Sequence, residues 1–374
     1  MLVFLCALPA VAGNETEVPE HPAFGAYAEY PLLDEAELDQ LFSEFMRERG
    51  LNEHNFAVSI CYTGTGEEWN YNCDKYMIGA SLYKLSLNMG LANKVKNGEI
   101  AQDQVIISDW TVNYIEERSL VYSDNPVSEA LIGYMGPFKE YRDMQAAIAG
   151  VPQEELPEDY YSTNSFSTRF MLGVLKNLYQ HPEEYPNVIN CMLRANPGEY
   201  FRRTLDGEYT VAQKYGGGDH YLHTAGIIYT PTPCLVTVMT HYAANAEYAI
   251  ANAAKLLADY AVTLDERYAA IKAEEAAEEQ RLADEAAAEE ARKKAEAEAA
   301  ERLAKEQAEA EEAERLRIAE ALARAEAAAK LAEQEQQKEE NSAYTAIIIV
   351  IAALLLMLIA FAFVRFTEKK KARR

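Results

Sequence analysis

The stretch FAVSICYTGTGEEWNYNCDKYMIGASLYK, residues 56–84, decides the fold. Its segments 56–62 and 68–71 are rich in β-branched and aromatic residues and flank the turn sequence TGTG, so they predict two antiparallel strands. If TGTG turns a hairpin, position 61 faces about position 68. A helix is predicted to begin near Ser81, directly after this strand pair.

Strand patterns return near the end of the same region. Segments 210–214, 225–229 and 234–240 read as strands, and a helix is predicted around 243–262. The middle, about 100–205, is mostly helical by pattern. Strands at both ends with helices between them predict an α+β fold: an antiparallel sheet, flanked by helices, in which the first and last strands meet, with a helical subdomain beside it.

Two helices in this region carry clear start or stop signals. The first follows Asp34 as N-cap, places Leu38 and Phe42 on one apolar stripe, and ends at Gly50. A second helix is predicted to be capped near Ser167 or Thr168.

Composition changes abruptly after Pro233, beyond which there is no glycine or proline. The later part is an Ala, Glu, Lys and Arg run whose i,i+4 pairs place the acid first, for example Glu289 with Lys293, which favours a long helix. Its leucines keep no sustained heptad, so a solitary charged helix and a self-associating coiled coil both remain open. The segments predicted are a signal-like apolar start (1–12), an extended leader (13–33), a globular domain (34–262), a charged helical stalk (263–342), a membrane helix (344–364) and a basic tail (365–374).

Both ends of the chain predict export to a membrane. Residues 344–364 are 21 uncharged, mostly apolar residues, long enough for a bilayer core, and the basic cluster after them predicts a cytoplasmic C-terminus. At the other end, the apolar stretch closing on Ala10-Val11-Ala12 resembles a signal peptide, although it lacks a basic start and a plain apolar terminus is the alternative. We therefore expect a single-pass protein of the cell membrane with its globular domain outside.

Charge and cysteine spacing exclude other classes. The formal net charge is -25, and so acidic a surface repels phosphate backbones, which disfavours nucleic-acid binding. The cysteines show no CxxC spacing, and His220 and His223 have no carboxylate or cysteine at ligand spacing, so strand-end polar roles are favoured over a metal site. No metal or cofactor is expected, and the cysteines are interpreted as buried and unpaired.

The first chemical motif is Ser81-x-x-Lys84 at the start of the helix. This spacing puts a hydroxyl and an amine one helical turn apart on one face. A serine is a poor nucleophile at neutral pH, but a partly desolvated lysine with a lowered pKa can take its proton. The motif therefore suits nucleophilic catalysis, although alone it is common.

Two further motifs follow along the chain. Ser123-Asp124-Asn125 predicts an Asx turn that caps the next helix, with Ser123 placed to pass a proton to a leaving group and Asn125 to hold Lys84 and the substrate. Lys214-Tyr215-Gly216 ends a predicted strand, where the lysine would attract a substrate carboxylate and the glycine would let substrate approach the strand edge.

Together, S-x-x-K after a hairpin, S-D-N in a helical region and K-x-G on a late strand resemble the class A β-lactamase and penicillin-binding D,D-peptidase superfamily. The resemblance covers about 50–260 and includes VAQKYG, similar to the family's VAHKTG, and HTAGIIY at 223–229, similar to HDAGIVY. It implies acylation of Ser81 by a β-lactam or a D-Ala-D-Ala-type peptidoglycan peptide. The implied substrate-binding residues are Asn125, Lys214, Tyr215, Gly216 and Gly217, with the backbone N–H groups of Ser81 and Gly217 as the oxyanion hole.

The chain departs from that pattern at two places. Tyr215 stands where the family has Thr or Ser, and no E-x-x-L-N segment follows S-D-N, although Glu154, Glu155 and Glu158 lie in the corresponding stretch. Because of these departures, two functional hypotheses remain open, in addition to a third in which the chain is a purely structural stalk protein. The first is a wall-facing serine hydrolase, and the second is a pseudoenzyme that binds wall peptide or a protein partner.

Overall fold

The structure is a computed structural model that describes residues 17–336 and 344–371. The signal-like segment 1–12, the start of the leader, the end of the predicted stalk (337–342) and the last three residues of the basic tail therefore lie outside the described residues. The chain divides into two compact units, residues 1–275 and 276–374.

The first unit contains the sheet and the helices around it. Its strands are β1 (Phe56–Tyr62), β2 (Glu68–Tyr71), β3 (Met77–Ile78), β4 (Val105–Ile107), β5 (Trp110–Thr111), β6 (Ser165–Phe166), β7 (Thr210–Gly217), β8 (Tyr221–Tyr229) and β9 (Cys234–His241). Its helices are α1 (Glu35–Arg49), α2 (Tyr83–Lys96), α3 (Val112–Leu120), α4 (Asn125–Met135), α5 (Phe138–Ala149), α6 (Thr168–Gln180), α7 (Pro186–Arg194), α8 (Arg202–Leu205) and the first part of α9 (Ala246–Gln336).

Five strands form one antiparallel sheet in the order β2-β1-β9-β8-β7. The predicted hairpin is confirmed, with Cys61 opposite Glu68, and the first and last strands meet as predicted, with Phe56 opposite Thr240. Every residue of β1 is buried, because helices cover both faces of the sheet. The α+β prediction is therefore confirmed.

The sheet separates two apolar cores. One core packs the β1 residues Ala57 and Cys61 with α2 and α6, and the other packs Val58 and Ile60 with α1 and α9. This division follows from the period-two alternation of side chains along a strand. The first core supports α2, and α2 carries the S-x-x-K lysine.

The predicted helix caps are present. The Asp34 side chain accepts a hydrogen bond from the Glu37 backbone N–H, and Gly50 ends α1 in the left-handed conformation at φ 65°. The Ser167 side chain caps α6 by accepting from the Phe170 N–H. Cys61, Cys73, Cys191 and Cys234 are all free and buried, as interpreted from the sequence.

The leader differs from its prediction in the part that is described. Gly25 and Tyr27 donate backbone hydrogen bonds to Thr63 O (2.8 Å) and Gly64 O (2.6 Å), so the segment packs on the hairpin turn. The Tyr27 ring stacks on Tyr268 at 3.8 Å between centroids. A leader rich in Glu and Pro was expected to be extended, but its aromatic residues bury enough apolar surface to hold it in place.

The final helix of the first unit was predicted to end near 262, but α9 continues to Gln336 without a break. Residue Leu264, past the predicted end, is fully buried. Without glycine or proline, nothing in this stretch stops a helix. The helix therefore continues to pack against the sheet unit beyond the predicted boundary.

The second unit is helical. Its part of α9 exposes nearly all of its side chains. Acid-first i,i+4 pairs come within ion-pair distance there, for example Glu289 with Lys293 at 3.5 Å and Glu320 with Arg324 at 3.9 Å. A further helix, α10, runs over Tyr344–Lys371. Among the described residues, no helix combines the length and the apolarity needed to cross a bilayer. The membrane helix predicted at 344–364 is thus not supported.

Candidate active site

The predicted nucleophile, Ser81, lies in a single 3₁₀ turn over Ala80–Leu82 that leads into α2. Ala80, directly before it, has φ +47°, a left-handed conformation that is costly for a residue with a side chain. Two hydrogen bonds hold this turn: Gly79 N donates to Asn164 O (2.7 Å), and Asn164 Nδ2 donates to Ala80 O (2.8 Å). The half-buried Ser81 is therefore presented on a fixed turn.

Strand β7 lies directly against this turn. A Cβ atom added to Gly216 would lie 2.6 Å from Gly79 O and 3.0 Å from Ser81 N, so only glycine fits. The structure thus shows a close approach between β7 and the nucleophile turn at Gly216, while the predicted approach of substrate to this strand edge stays a prediction. Gly217 follows at the exposed end of the strand, and its oxyanion-hole role stays a prediction.

Lys84 is fully buried one helical turn after Ser81. Its Nζ donates to Asn125 Oδ1 (2.6 Å), to Ser123 O (2.6 Å) and to Ser123 Oγ (3.3 Å). Burial lowers the pKa of Lys84 to about 8, while the charges of Asp124 and Glu129 oppose the shift. A lysine with that pKa is partly neutral near pH 7, and a neutral amine can act as a general base.

Lys214 reaches the same hydroxyl from the sheet. Its fully buried Nζ donates to Ser123 Oγ (3.1 Å) and to Tyr215 O (3.0 Å). Burial, followed by the neighbouring charge of Lys84, lowers the pKa of Lys214 well below its usual value. Because Ser123 Oγ accepts from both amines, its own O–H remains available to a third group.

The S-D-N turn is held rigidly. Ser123 has φ +55°, and Asp124 caps α4 by accepting from the Val127 N–H at 3.1 Å, as the predicted Asx turn requires. Arg118 donates to Asp124 from Nε at 3.1 Å, and this hydrogen bond lowers the pKa of the Asp124 carboxyl. The turn is therefore anchored on α3 and fixes Ser123 and Asn125 toward the lysines.

Among the described residues, no carboxylate of the stretch 150–165 is hydrogen-bonded to Ser81, Lys84, Ser123 or Lys214. Glu154, Glu155 and Glu158 are all exposed. Tyr160 is buried instead, and its hydroxyl donates to Arg142 O at 2.9 Å. The segment meets the nucleophile turn through Asn164, which sequence reasoning did not identify.

His223, for which the sequence predicts a strand-end polar role, lies near the start of β8. It is buried, its Nε2 lies 2.8 Å from Ile78 O, and its Nδ1 accepts from the Thr240 N–H at 3.1 Å. The second bond requires Nε2 to carry the proton, so His223 donates to the strand just before Ser81. Burial lowers its pKa to about 4. His223 thus has a polar role near the end of a strand, as the sequence predicted.

A model of the β-lactamase enzyme family matches residues 37–261, which contain every motif described above. This chain belongs to the β-lactamase enzyme family. The matched residues include the whole sheet and extend to the buried part of α9, so family membership rests on the domain that holds the site.

Solved structures of class A β-lactamases share the fold. The class A β-lactamase of the last common ancestor of Gram-negative bacteria is 19% identical to this chain, with a TM-score of 0.52. The match covers 60% of this chain and 98% of that enzyme. A β-lactamase from Burkholderia vietnamiensis is 15% identical, with a TM-score of 0.53. The match covers 62% of this chain and 99% of that enzyme. A β-lactamase from Chitinophaga pinensis is 18% identical, with a TM-score of 0.53. The match covers 60% of this chain and 99% of that enzyme. A search of curated proteins found no match.

Proposed function

We propose that the protein forms an acyl-enzyme at Ser81 with a β-lactam or a D-Ala-D-Ala-type peptidoglycan peptide. One observation carries the proposal: two buried lysines meet at the Ser123 hydroxyl, and one of them lies a helical turn from Ser81. Burying two amines beside each other is costly for a structural site, and such an arrangement is typical of catalytic ones.

Each residue of the site has its own step in the proposed acylation of Ser81. Neutral Lys84 takes the Ser81 proton, and Ser81 Oγ attacks the substrate carbonyl. Ser123 then passes its proton to the leaving nitrogen as the tetrahedral intermediate collapses, and Lys214 or Lys84 returns a proton to Ser123. The N–H groups of Ser81 and Gly217 are the proposed donors to the oxyanion.

Hydrolysis of the acyl-enzyme needs a base for water, and the described part of 150–165 directs its carboxylates to solvent. We therefore expect fast acylation followed by slow release, a pattern closer to a penicillin-binding protein than to an efficient β-lactamase. The same observation, with Tyr215, favours the second candidate: an impaired relative that binds wall peptide or a protein partner without turnover.

A covalent label tests the proposal. Full-length protein incubated with a fluorescent penicillin should gain one adduct, visible in a gel and by intact mass, and Ser81→Ala should abolish it. Ser43→Ala, on the exposed side of α1, is the matched control and should label like the wild type. Absence of any adduct, or equal labelling of Ser81→Ala, contradicts acylation. Muropeptide binding that survives Ser81→Ala without an adduct would support the second candidate.

The membrane location is also a proposal, and it rests on the sequence alone: on the apolar run 344–364 and the basic residues that follow it. It places the domain outside the cell, facing the wall. Carbonate extraction should leave the full chain in the membrane pellet and release a chain ending at 342. Release of both chains alike contradicts the proposal.

A further inference from the structure

Tyr215 covers one side of the Lys214 amine. Its ring centroid lies 4.4 Å from Lys214 Nζ, within cation–π distance. The same Nζ donates to Ser123 Oγ and to Tyr215 O. Two N–H donors of the amine therefore end on oxygen atoms, and the ring covers a further side of the amine. Lys214 is also 0% exposed, and it therefore has no free donor for a substrate.

A second tyrosine holds this ring in place. Tyr200 stacks on Tyr215 with centroids 4.6 Å apart and an interplanar angle of 13°. Tyr200 has φ +54°, so the loop that carries it must be fixed from elsewhere.

Gln213 fixes that loop. Its side chain is fully buried, its Nε2 lies within hydrogen-bond distance of three backbone carbonyls of the loop, and its Oε1 accepts from the Phe201 N–H at 3.1 Å. Gln213 and Tyr215 are two residues apart on β7, so both side chains leave the same face of the strand. The Tyr215 ring is thus held over Lys214 by strand β7 itself and by the Tyr200 loop, which Gln213 of the same strand anchors.

This arrangement opposes recognition of a carboxylate. A substrate carboxylate binds a lysine through charge-assisted N–H bonds, and here the donors are already used. Tyr200 and Lys214 Nζ both lie against the faces of the Tyr215 ring, so the ring fills the space beside the amine that a carboxylate would need, whereas a neutral amide needs no such contact.

We propose that Tyr215, held in place by Tyr200, determines the specificity of the site. It selects acyl donors whose leaving group has no carboxylate, as when the cleaved bond is an internal peptide bond, over donors whose leaving group ends in a free carboxylate. This inference rests on the acyl-enzyme at Ser81 proposed above. It predicts that penicillins and D-Ala-D-Ala peptides, which carry a free carboxylate, acylate Ser81 more slowly than matched donors that end in an amide.

The test uses the full chain and two synthetic acyl donors, the same N-acyl-D-alanyl thioester ending in either a carboxylate or a carboxamide. The rate of Ser81 acylation is followed by intact mass. Wild type should prefer the carboxamide by about fivefold or more. Tyr215→Thr should speed the carboxylate donor by about tenfold, because it frees a lysine N–H, and should change the carboxamide donor by less than about twofold. Tyr215→Phe keeps the ring and should keep the wild-type preference.

Three outcomes overturn the inference: a wild-type preference for the carboxylate, an equal effect of Tyr215→Thr on both donors, or loss of the preference in Tyr215→Phe. If neither donor acylates Ser81 in any variant, the proposed function fails and the inference fails with it. Should Tyr215→Thr not fold, Tyr200→Leu removes the brace and should speed the carboxylate donor a few-fold, whereas an unchanged ratio counts against the inference. Tyr114→Leu, an exposed tyrosine on α3, is the control and should leave the ratio unchanged.

Discussion

Lys84 links burial to chemistry at the scale of a single residue. Burial lowers its pKa to about 8, so the neutral fraction that can accept the Ser81 proton grows as pH rises through that value. We expect the rate of Ser81 acylation to climb from pH 6 to pH 9 along a limb with an apparent pKa of about 8. The rate is measured with fluorescent penicillin by rapid quench.

Lys84→Ala should lower that rate by roughly a hundredfold or more, the usual contribution of a general base. Lys94→Ala, at the partly exposed end of the same helix, should keep both the rate and the limb. A wild-type rate independent of pH over this range would exclude Lys84 as the base.

Gly216 tests the close approach of β7 to the nucleophile turn. An alanine there places its Cβ within 2.6 Å of Gly79 O, and the turn must shift. Since a displacement of about 1 Å can cost about a hundredfold in rate, Gly216→Ala should lose most acylation, while the protein still folds with a loss of about 1–3 kcal/mol.

Gly218→Ala is the matched control, because an added Cβ at Gly218 meets nothing within 4 Å. Acylation and urea unfolding of both variants give the comparison. Gly216→Ala acylating as fast as Gly218→Ala would show that the close approach is not needed.

At the scale of elements, His223 connects the sheet to the strand before Ser81. Its pKa is lowered from 6.5 to about 4 by burial, so the unfolded chain takes up a proton that the folded chain does not. Stability from this group is therefore complete above about pH 6.5 and falls as pH drops toward 4, by up to about 1.4 kcal/mol per pH unit.

Urea unfolding between pH 7 and pH 4.5 measures this slope. His223→Asn should be less stable at pH 7 and should show a shallower pH dependence, whereas His220→Asn, on an exposed turn, should retain the wild-type slope. If the free energy of unfolding fell equally steeply with pH in wild type and in His223→Asn, His223 would not be the group responsible.

The elements also show what the sequence could predict. The hairpin, the caps at Asp34 and Ser167 and the three chemical motifs are local patterns, so their residues were identified and Ser123 does lie between Lys84 and Lys214. Asn164 and Tyr200 were missed, because each acts through a contact with a residue far along the chain and neither stands in a recognisable motif. The pairing of β1 with β9 was predicted only because a sheet with strands at both ends of a domain must join them.

At the scale of the whole molecule, the limit of the folded unit can be tested by truncation. Residues after 262 make contacts that the local pattern did not reveal: Asp265 accepts from the Tyr62 hydroxyl at 2.7 Å, Arg267 donates to Leu32 O at 3.1 Å, and the Tyr268 ring stacks on Tyr27. The compact unit ends at Glu275, after which the side chains are almost all exposed.

We therefore expect a chain ending at 275 to unfold within about 1 kcal/mol of the full protein and to label with penicillin. A chain ending at 262 loses buried Leu264, the side-chain hydrogen bonds of Asp265 and Arg267 and the stack of Tyr268 on Tyr27, which together should cost about 4 kcal/mol or more. In the full chain, Leu264→Ala alone should cost about 2–5 kcal/mol, since it leaves a cavity under the same helix. Urea unfolding of the three proteins measures these differences. Equal stability of the two truncated chains would mean that residues 263–275 add nothing to the fold, and the helix beyond 262 would then be only the start of the charged stalk.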